Sequence, residues 1–344
     1  MLPRHSNSSL LVLLWFFCQA LLSCAFLSNN RPAYPSFLRF SSHLRSTTTD
    51  AADISADNIF VMVNGMPGPM ATAAAEACLR KGLRLCPFAL TSPRASPSVI
   101  SVSDGTKCES VRLVPSSTDR KELDAQLAGV RATLTDDDSL LLVIDYTHPD
   151  AVNGNAQWYV ESDLPFVMGT TGGDREQLLA TAQDFPCVIA PNMGKQIVAL
   201  QAALEHAAAT TPGAFAGYTL QVTESHQKTK ADTSGTAKAV IQNLQTLTGD
   251  TPSFDIDTDL TMIRDDAQAI AFGVPEDAVT SGHAFHTYTL TSPDGSVQFS
   301  LQHNVAGRTV YAEGTADAVL FLAQRSGERR VFSMVDVLQA GALE

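Results

Sequence analysis

Residues Asn58–Gly82 read NIFVMVNGMPGPMATAAAEACLRKG, and the two halves of the segment obey different periods. NIFVMVNG is a short, continuous apolar run ending at Gly65, the pattern of a strand buried on both faces. PMATAAAEACLRKG is an Ala-rich helix that closes at Gly82. Gly65 and Gly68 fall at the turn, where backbone N–H groups and the helix N-terminus can receive a pyrophosphate. The spacing is GxxGxMA rather than GxGxxG, and a glycine turn into an Ala-rich helix also serves plain tight packing. Its place as first strand and first helix of the mature chain favours a cofactor, making Gly65, Met66, Gly68 and Met70 candidate contacts.

Downstream the alternation continues. LRLCPFALTS reads as the next strand, followed by strand-like pieces at 98–102 and 109–114 and a helix in DRKELDAQLAGVRATL. SLLLVIDYT, LPFVMGTTG and PCVIAPNMG are further strands, separated by helices around 150–161 and in DREQLLATAQDF. Strands alternating with helices predict an α/β fold with a Rossmann-like doubly wound parallel sheet. After the long helix KQIVALQAALEHAAATT the pattern changes to a strand (GYTLQVTESH), a helix (SGTAKAVIQNLQTLTG) and a Pro-Asp-Gly hairpin, FHTYTLTSPDGSVQFSLQHNV. This predicts a second domain with a mixed α+β sheet. TADAVLFLAQRSG and MVDVLQAGA are helical.

The second strand ends ALTSPR, without the acid that would meet a ribose 2′-hydroxyl. Thr91, Ser92 and Arg94 suit a 2′-phosphate instead, which favours NADPH, with NADH as the alternative. Three more strand ends, DYTHP (145–149), GTTGG (169–173) and APNMG (190–194), converge on the same edge of such a sheet, where ligands bind. They add Thr147, Gly169, Thr170, Thr171, Ala190, Pro191 and Asn192 to the cofactor candidates.

The 344 residues carry a formal net charge of −13, which argues against nucleic-acid binding and against polybasic membrane attachment. An anionic ligand must therefore meet a local group of cations. The cysteines Cys18, Cys24, Cys78, Cys86, Cys108 and Cys187 form no CxxC pair and no metal spacing, so no metal site is expected. No acid precedes Asp50, although 36 Asp and Glu residues follow from there. Residues 10–27, LLVLLWFFCQALLSCAFL, have the layout of a signal-peptide core and cleavage site. The Arg- and hydroxyl-rich stretch after them has the composition of a transit peptide. Residues 1–50 thus read as a bipartite leader of the kind that directs proteins to the stroma of a secondary plastid, a single membrane anchor with a linker being the alternative. No later segment is long and apolar enough to span a bilayer.

ESHQKTKADTSGTAKAV, Glu224–Val240, is where cations gather. Glu224 and Ser225 end a strand, and Thr233 or Ser234 can cap the following helix, leaving N–H donors at its N-terminus. With Lys230 those donors suit a carboxylate. His226 is the one titratable group in the stretch whose ordinary pKa suits proton donation near neutrality.

The string ESHQKTKADTSGTA resembles the signature of the 4-hydroxy-tetrahydrodipicolinate reductase (dihydrodipicolinate reductase) family, E-x-H-H-x-x-K-x-D-x-P-S-G-T. Glu224, His226, Lys230, Asp232 and Ser234–Thr236 are kept; Gln227 stands at the second histidine, and the chain is one residue shorter before the serine. These departures and APNMGKQIV look like the plant-type branch. The resemblance extends over nearly all of 58–340, through IDYTHP, GTTG (169–172) and HNVAGRTVYAEGT, where Arg308 falls at the family's arginine. It implies reduction of 4-hydroxy-tetrahydrodipicolinate to tetrahydrodipicolinate in lysine and diaminopimelate biosynthesis, with hydride from the nicotinamide and His226 as general acid. Lys230 would be catalytic and substrate-binding, beside Ser234, Gly235, Thr236, Thr171 and Arg308. Residues 56–191 and 312–344 would form the NADPH-binding domain, and 192–311 the substrate-binding and oligomerisation domain of a homodimer or homotetramer. The alternatives are another two-domain dehydrogenase of an amino-acid pathway, or a non-catalytic NADP-binding sensor.

Overall fold

The structure, a computed structural model, describes residues 54–134 and 139–341; the leader read into residues 1–50 lies outside them. Its strands are Ile59–Asn64 (β1), Arg84–Leu85 (β2), Phe88–Thr91 (β3), Ser98–Ser103 (β4), Cys108–Pro115 (β5), Leu140–Asp145 (β6), Phe166–Met168 (β7), Cys187–Ile189 (β8), Thr219–His226 (β9), Leu260–Ile263 (β10), His283–Thr291 (β11), Gln298–Ala306 (β12) and Val331–Phe332 (β13). Its α-helices are Pro69–Arg80 (α1), Arg120–Arg131 (α2), Val152–Glu161 (α3), Arg175–Ala182 (α4), Lys195–Thr210 (α5), Gly235–Thr248 (α6), Ile256–Asp259 (α7), Asp266–Ala271 (α8), Glu276–Ser281 (α9), Thr309–Ala323 (α10) and Met334–Gln339 (α11).

The continuous apolar runs become a six-stranded parallel sheet in the order β13-β8-β7-β6-β1-β2. Val61, Met62, Val143, Ile144, Val167 and Val188 are fully enclosed because helices cover both faces. The Ala-rich α1 packs against α10, whose Ala312, Ala316 and Ala318 are equally buried. α10 must also pass close to the chain after β8. A Cβ on Gly314 would lie 1.8 Å from the Met193 carbonyl oxygen, so only glycine fits there. Asp317 on α10 pairs with Lys81 at 2.7 Å and also with Lys195, tying the ends of α1 and α5 to the same helix. β13, a two-residue strand that periodicity does not reveal, completes the sheet on β8.

LRLCPFALTS is not one strand, and this corrects the sequence reading. β2 pairs with β1 in the main sheet, whereas β3 leaves it and pairs in parallel with β5 in a separate sheet, β3-β5-β4. Pro87 stands at the break and has no N–H to continue a ladder. β3 still borders the glycine turn, because the Gly65 N–H donates to the Leu90 carbonyl at 2.9 Å and the Leu90 N–H to the Asn64 side chain at 2.7 Å.

The second sheet has the order β10-β9-β11-β12, with β9–β11–β12 antiparallel and β10 parallel to β9. Leu220, Val222, Tyr288 and Leu290 face α6, which contributes Ala237, Val240, Ile241 and Leu244 to one core. The other face shows Thr219, Gln221, Ser300 and Gln302 to solvent. β10 and the helices α7–α9 lie in a stretch that gave no clear periodic signal. Among the described residues, no helix is long and apolar enough to cross a membrane.

Candidate active site

Each half of the site begins with a strand end. At the end of β1, Gly65 adopts φ +104°, and a Cβ there would sit 2.1 Å from the Tyr146 carbonyl oxygen. The turn is thus pressed against the loop after β6 and admits only glycine. α1 starts at Gly68 without a side-chain cap, which leaves its N-terminal N–H groups for a ligand such as a pyrophosphate. Met66 is buried and Met70 lies at the second position of α1. Thr91 is buried, whereas Ser92 and Arg94 are exposed on the loop beyond β3.

The loops after β6 and β7 are fixed from beneath by the buried Asp145. Its carboxylate accepts from the Thr147 N–H at 3.0 Å, the Thr147 and Thr170 hydroxyls at 2.7 Å, Asn155 at 2.9 Å and the Tyr159 hydroxyl at 2.6 Å. The side chains of Thr147 and Thr170 therefore point inward, and only their backbones are available to a ligand. Ala190 is buried beside them. Burial pushes the Tyr159 hydroxyl well above its ordinary pKa, so that hydroxyl stays a donor to Asp145. Tyr146, absent from the sequence candidates, packs under Gly169 and bonds Thr315 at 2.6 Å.

Facing these loops, a cleft of about 800 Å³ is lined by Met70, Gly169, Thr171, Pro191 and Asn192 on one side and by Lys230 and Asp232–Thr236 on the other. Asn192 crosses it, its Nδ2 donating to the Thr236 hydroxyl at 3.0 Å. Ser234 rather than Thr233 caps α6, accepting from the Ala237 N–H at 3.4 Å. The Ser234 and Thr236 hydroxyl hydrogens are free to donate, and Gly235 and Thr236 present N–H groups at the helix start. Lys230 pairs with the exposed Asp232 at 2.9 Å.

His226 does not line this cleft. It closes β9 with only 6% of its surface exposed, and its Nε2 lies 3.2 Å from His286 Nε2. Burial, then the positive charges of Arg264 and Lys230, push its pKa down to about 4. The expectation of an imidazole poised near neutrality is corrected: the ring is neutral at pH 7. Nor is it the sole titratable group nearby, because His283 and His286 lie beside it and His303 stacks on His286. Glu224, His286 and His303 form one cross-strand row in register, with the rings of His286 and His303 stacked at 4.4 Å. Glu224 is fully buried; Arg264 pairs with one carboxylate oxygen, and the Ser234 N–H donates to the other at 3.2 Å. Arg264 also donates to the Lys230 carbonyl at 2.7 Å, so this residue, silent in the sequence, holds the Lys230 loop onto the sheet. Glu224, His226 and His286 place one donor atom each within 4.8 Å of one another. The guanidinium and the N–H already take both Glu224 oxygens, which leaves a cation little to bind.

Arg308 does not reach the cleft either. It begins α10, donates to the Ser281 carbonyl and lies with the Gln227 amide beside Gly282. The arginine and the departing glutamine thus share one neighbourhood beside Gly282.

A glycine turn on the first strand of a parallel sheet, facing a helix N-terminus on a second sheet, defines a two-domain, dinucleotide-dependent oxidoreductase. Comparison with known proteins narrows the class. The family descriptions "Dihydrodipicolinate reductase, N-terminus" and "Dihydrodipicolinate reductase, C-terminus" match residues 59–193 and 196–338. The chain belongs to the dihydrodipicolinate reductase family. It is 43% identical over 326 residues to 4-hydroxy-tetrahydrodipicolinate reductase 2, chloroplastic, of Arabidopsis thaliana, covering 92% of this chain and 88% of that one. A probable 4-hydroxy-tetrahydrodipicolinate reductase 1, chloroplastic, of Oryza sativa subsp. japonica is 46% identical over 287 residues, covering 82% and 79%. The dipicolinate-bound dihydrodipicolinate reductase of Paenisporosarcina sp. TG-14 has the same fold at a TM-score of 0.52, with 17% identity over 80% of this chain and 97% of that one.

Proposed function

We propose that this chain catalyses the NAD(P)H-dependent reduction of 4-hydroxy-tetrahydrodipicolinate to tetrahydrodipicolinate, a step of lysine and diaminopimelate biosynthesis. The reading rests above all on the cleft between the β7 and β8 loops and the Lys230–Thr236 segment. A nicotinamide cofactor, when bound, supplies the hydride. The uncapped start of α1 and the tight Gly65 turn suit its pyrophosphate, and Ser92 and Arg94 favour NADPH over NADH. On the substrate side, the N–H groups of Gly235 and Thr236 and the hydroxyls of Ser234 and Thr236 bind one carboxylate. Lys230 exchanges Asp232 for the substrate, which supplies a far better-placed anion once water is displaced. Thr171 approaches from the opposite wall, and Arg308 acts through the Gln227 neighbourhood rather than from the cleft.

His226 serves as general acid. Its ring is neutral in the free protein, and a dianionic substrate opposes the influence of Arg264 and Lys230. Substrate binding therefore raises its proton affinity, so substrate and proton enter together. A coupled assay following NADPH consumption tests the reading: His226→Ala and Lys230→Ala should each lower turnover about a hundredfold. A normal rate in His226→Ala ends its role, and a preference for NADH ends that of Arg94.

We further assign the chain to the plastid, specifically the stroma of a secondary plastid reached through its leader. Retention of a leader–fluorescent protein fusion at the endoplasmic reticulum would overturn this. The open polar face of the second sheet is assigned to self-association as a dimer or tetramer, which light scattering of the purified protein decides.

A further inference from the structure

The reductase reading gives His226 a task but leaves unexplained why a second imidazole is buried against it. His286 sits diagonally across the β9–β11 pair from His226, with 1% of its surface exposed. Only one ring nitrogen of His226 faces it, at 3.2 Å. The His283 backbone favours a proton on the His226 ring, and with Nε2 turned to His286 that proton falls to Nδ1. His226 is then the Nδ1–H tautomer, its Nε2 carries the lone pair, and the hydrogen between the two rings belongs to His286. Glu224 lies 3.7 Å from the same His286 nitrogen and favours a proton there, while His286 Nδ1 is buried with no partner and so carries a lone pair.

We propose that His286 is a positioning residue: its Nε2–H donates to His226 Nε2, fixing the tautomer and orientation of the acid until substrate arrives. The inference rests on the reductase reading for its catalytic meaning, whereas the contact between the two Nε2 atoms stands on geometry alone. The groups facing the pair are Glu224 on β9, Arg264 after β10, Lys230 on the loop, His283 and Tyr288 on β11 and His303 on β12. The cations among them oppose a second proton, and Glu224 is the one anion. Stacking on His303 and Tyr288 holds the His286 plane in the free protein, keeping the donor aimed at His226 Nε2 until that nitrogen takes up its proton.

Three substitutions separate a hydrogen-bond role from a packing role. In His286→Gln the amide nitrogen can occupy the Nε2 position and keep the donor. His286→Asn places its amide near Nδ1, and His286→Phe keeps the ring without a donor. We expect His286→Gln to stay within about threefold of wild-type kcat. His286→Asn and His286→Phe should lose about tenfold or more, with the KM for NADPH unchanged and the pH profile of kcat displaced, on the scale of a misplaced acid. Imidazole ¹⁵N shifts of His226 should report Nδ1–H in wild type and His286→Gln, and a tautomer mixture in His286→Phe. Turnover and pH profile unaltered in the Phe and Asn variants overturn the proposal, as does a Gln variant as impaired as Phe. A wild type that does not reduce the substrate defeats the reductase reading instead. The ¹⁵N shifts then decide the hydrogen bond by themselves, and no change between wild type and His286→Phe sinks it.

Discussion

Asp145 and Glu224 are both fully buried carboxylates near the ends of strands that flank the site, yet the chain surrounds them with opposite kinds of partner. Asp145 accepts from hydroxyls, an amide and a backbone N–H, none of which changes charge near neutrality. Glu224 meets a guanidinium, a backbone N–H and a histidine that touches the candidate acid. The first arrangement freezes two loops in place. The second sets a carboxylate among ionisable partners, so that under the proposed function the same residue chemistry serves rigidity in one sheet and the candidate acid in the other.

The largest expected effect tests the rigid side. Asp145→Ala leaves several buried donors unpaired and should cost at least about 3 kcal/mol of stability in urea unfolding. A loss under about 1 kcal/mol would break the contrast. Next, Glu224→Gln should lower kcat about tenfold while costing less stability than Asp145→Ala; equal destabilisation with unchanged kcat would make the two carboxylates equivalent. The smallest effect is in the pH dependence of the free protein. Burial drives the pKa values of His226 and His303 down to about 4 and that of His286 to about 2. The unfolded chain, with histidines near 6.5, therefore binds more protons below that pH. The melting temperature should be level above about pH 6.5 and fall from there towards pH 4, more gently in His286→Gln. A melting temperature that does not fall over that window contradicts the burial of these rings.

The parallel sheet was legible because β1, β6 and β8 are enclosed on both faces and so carry uninterrupted apolar runs. The candidate anion-binding segment was equally plain, since Lys230 and Asp232–Thr236 are close in sequence and share the cleft wall. What escaped was assembled at long range. Arg264 reaches Glu224 and Lys230 across 40 and 34 positions, and no local pattern announces it. His286 did carry a faint signal, for it shares the two-residue phase of Tyr288 and Leu290 and so belongs to the buried face of β11. The division of LRLCPFALTS between two sheets depended on Pro87, whose effect on the ladder is visible only once the neighbouring strands are known. His226 was found by its residue type, but its low proton affinity arises first from burial and then from the charges of Arg264 and Lys230, which only the folded chain brings together.

β13 pairs with β8 across more than 140 positions of sequence, and α10 covers the helices and strands made first. A ribosome therefore releases the first eight strands with the β8 edge still open, and nothing can seal it until residue 332 has emerged. For that interval the nascent chain exposes a short apolar strand edge of the kind that recruits wrong partners. Loss of the segment that carries β13 would make that transient state permanent, so the yield of folded protein depends on those two late residues.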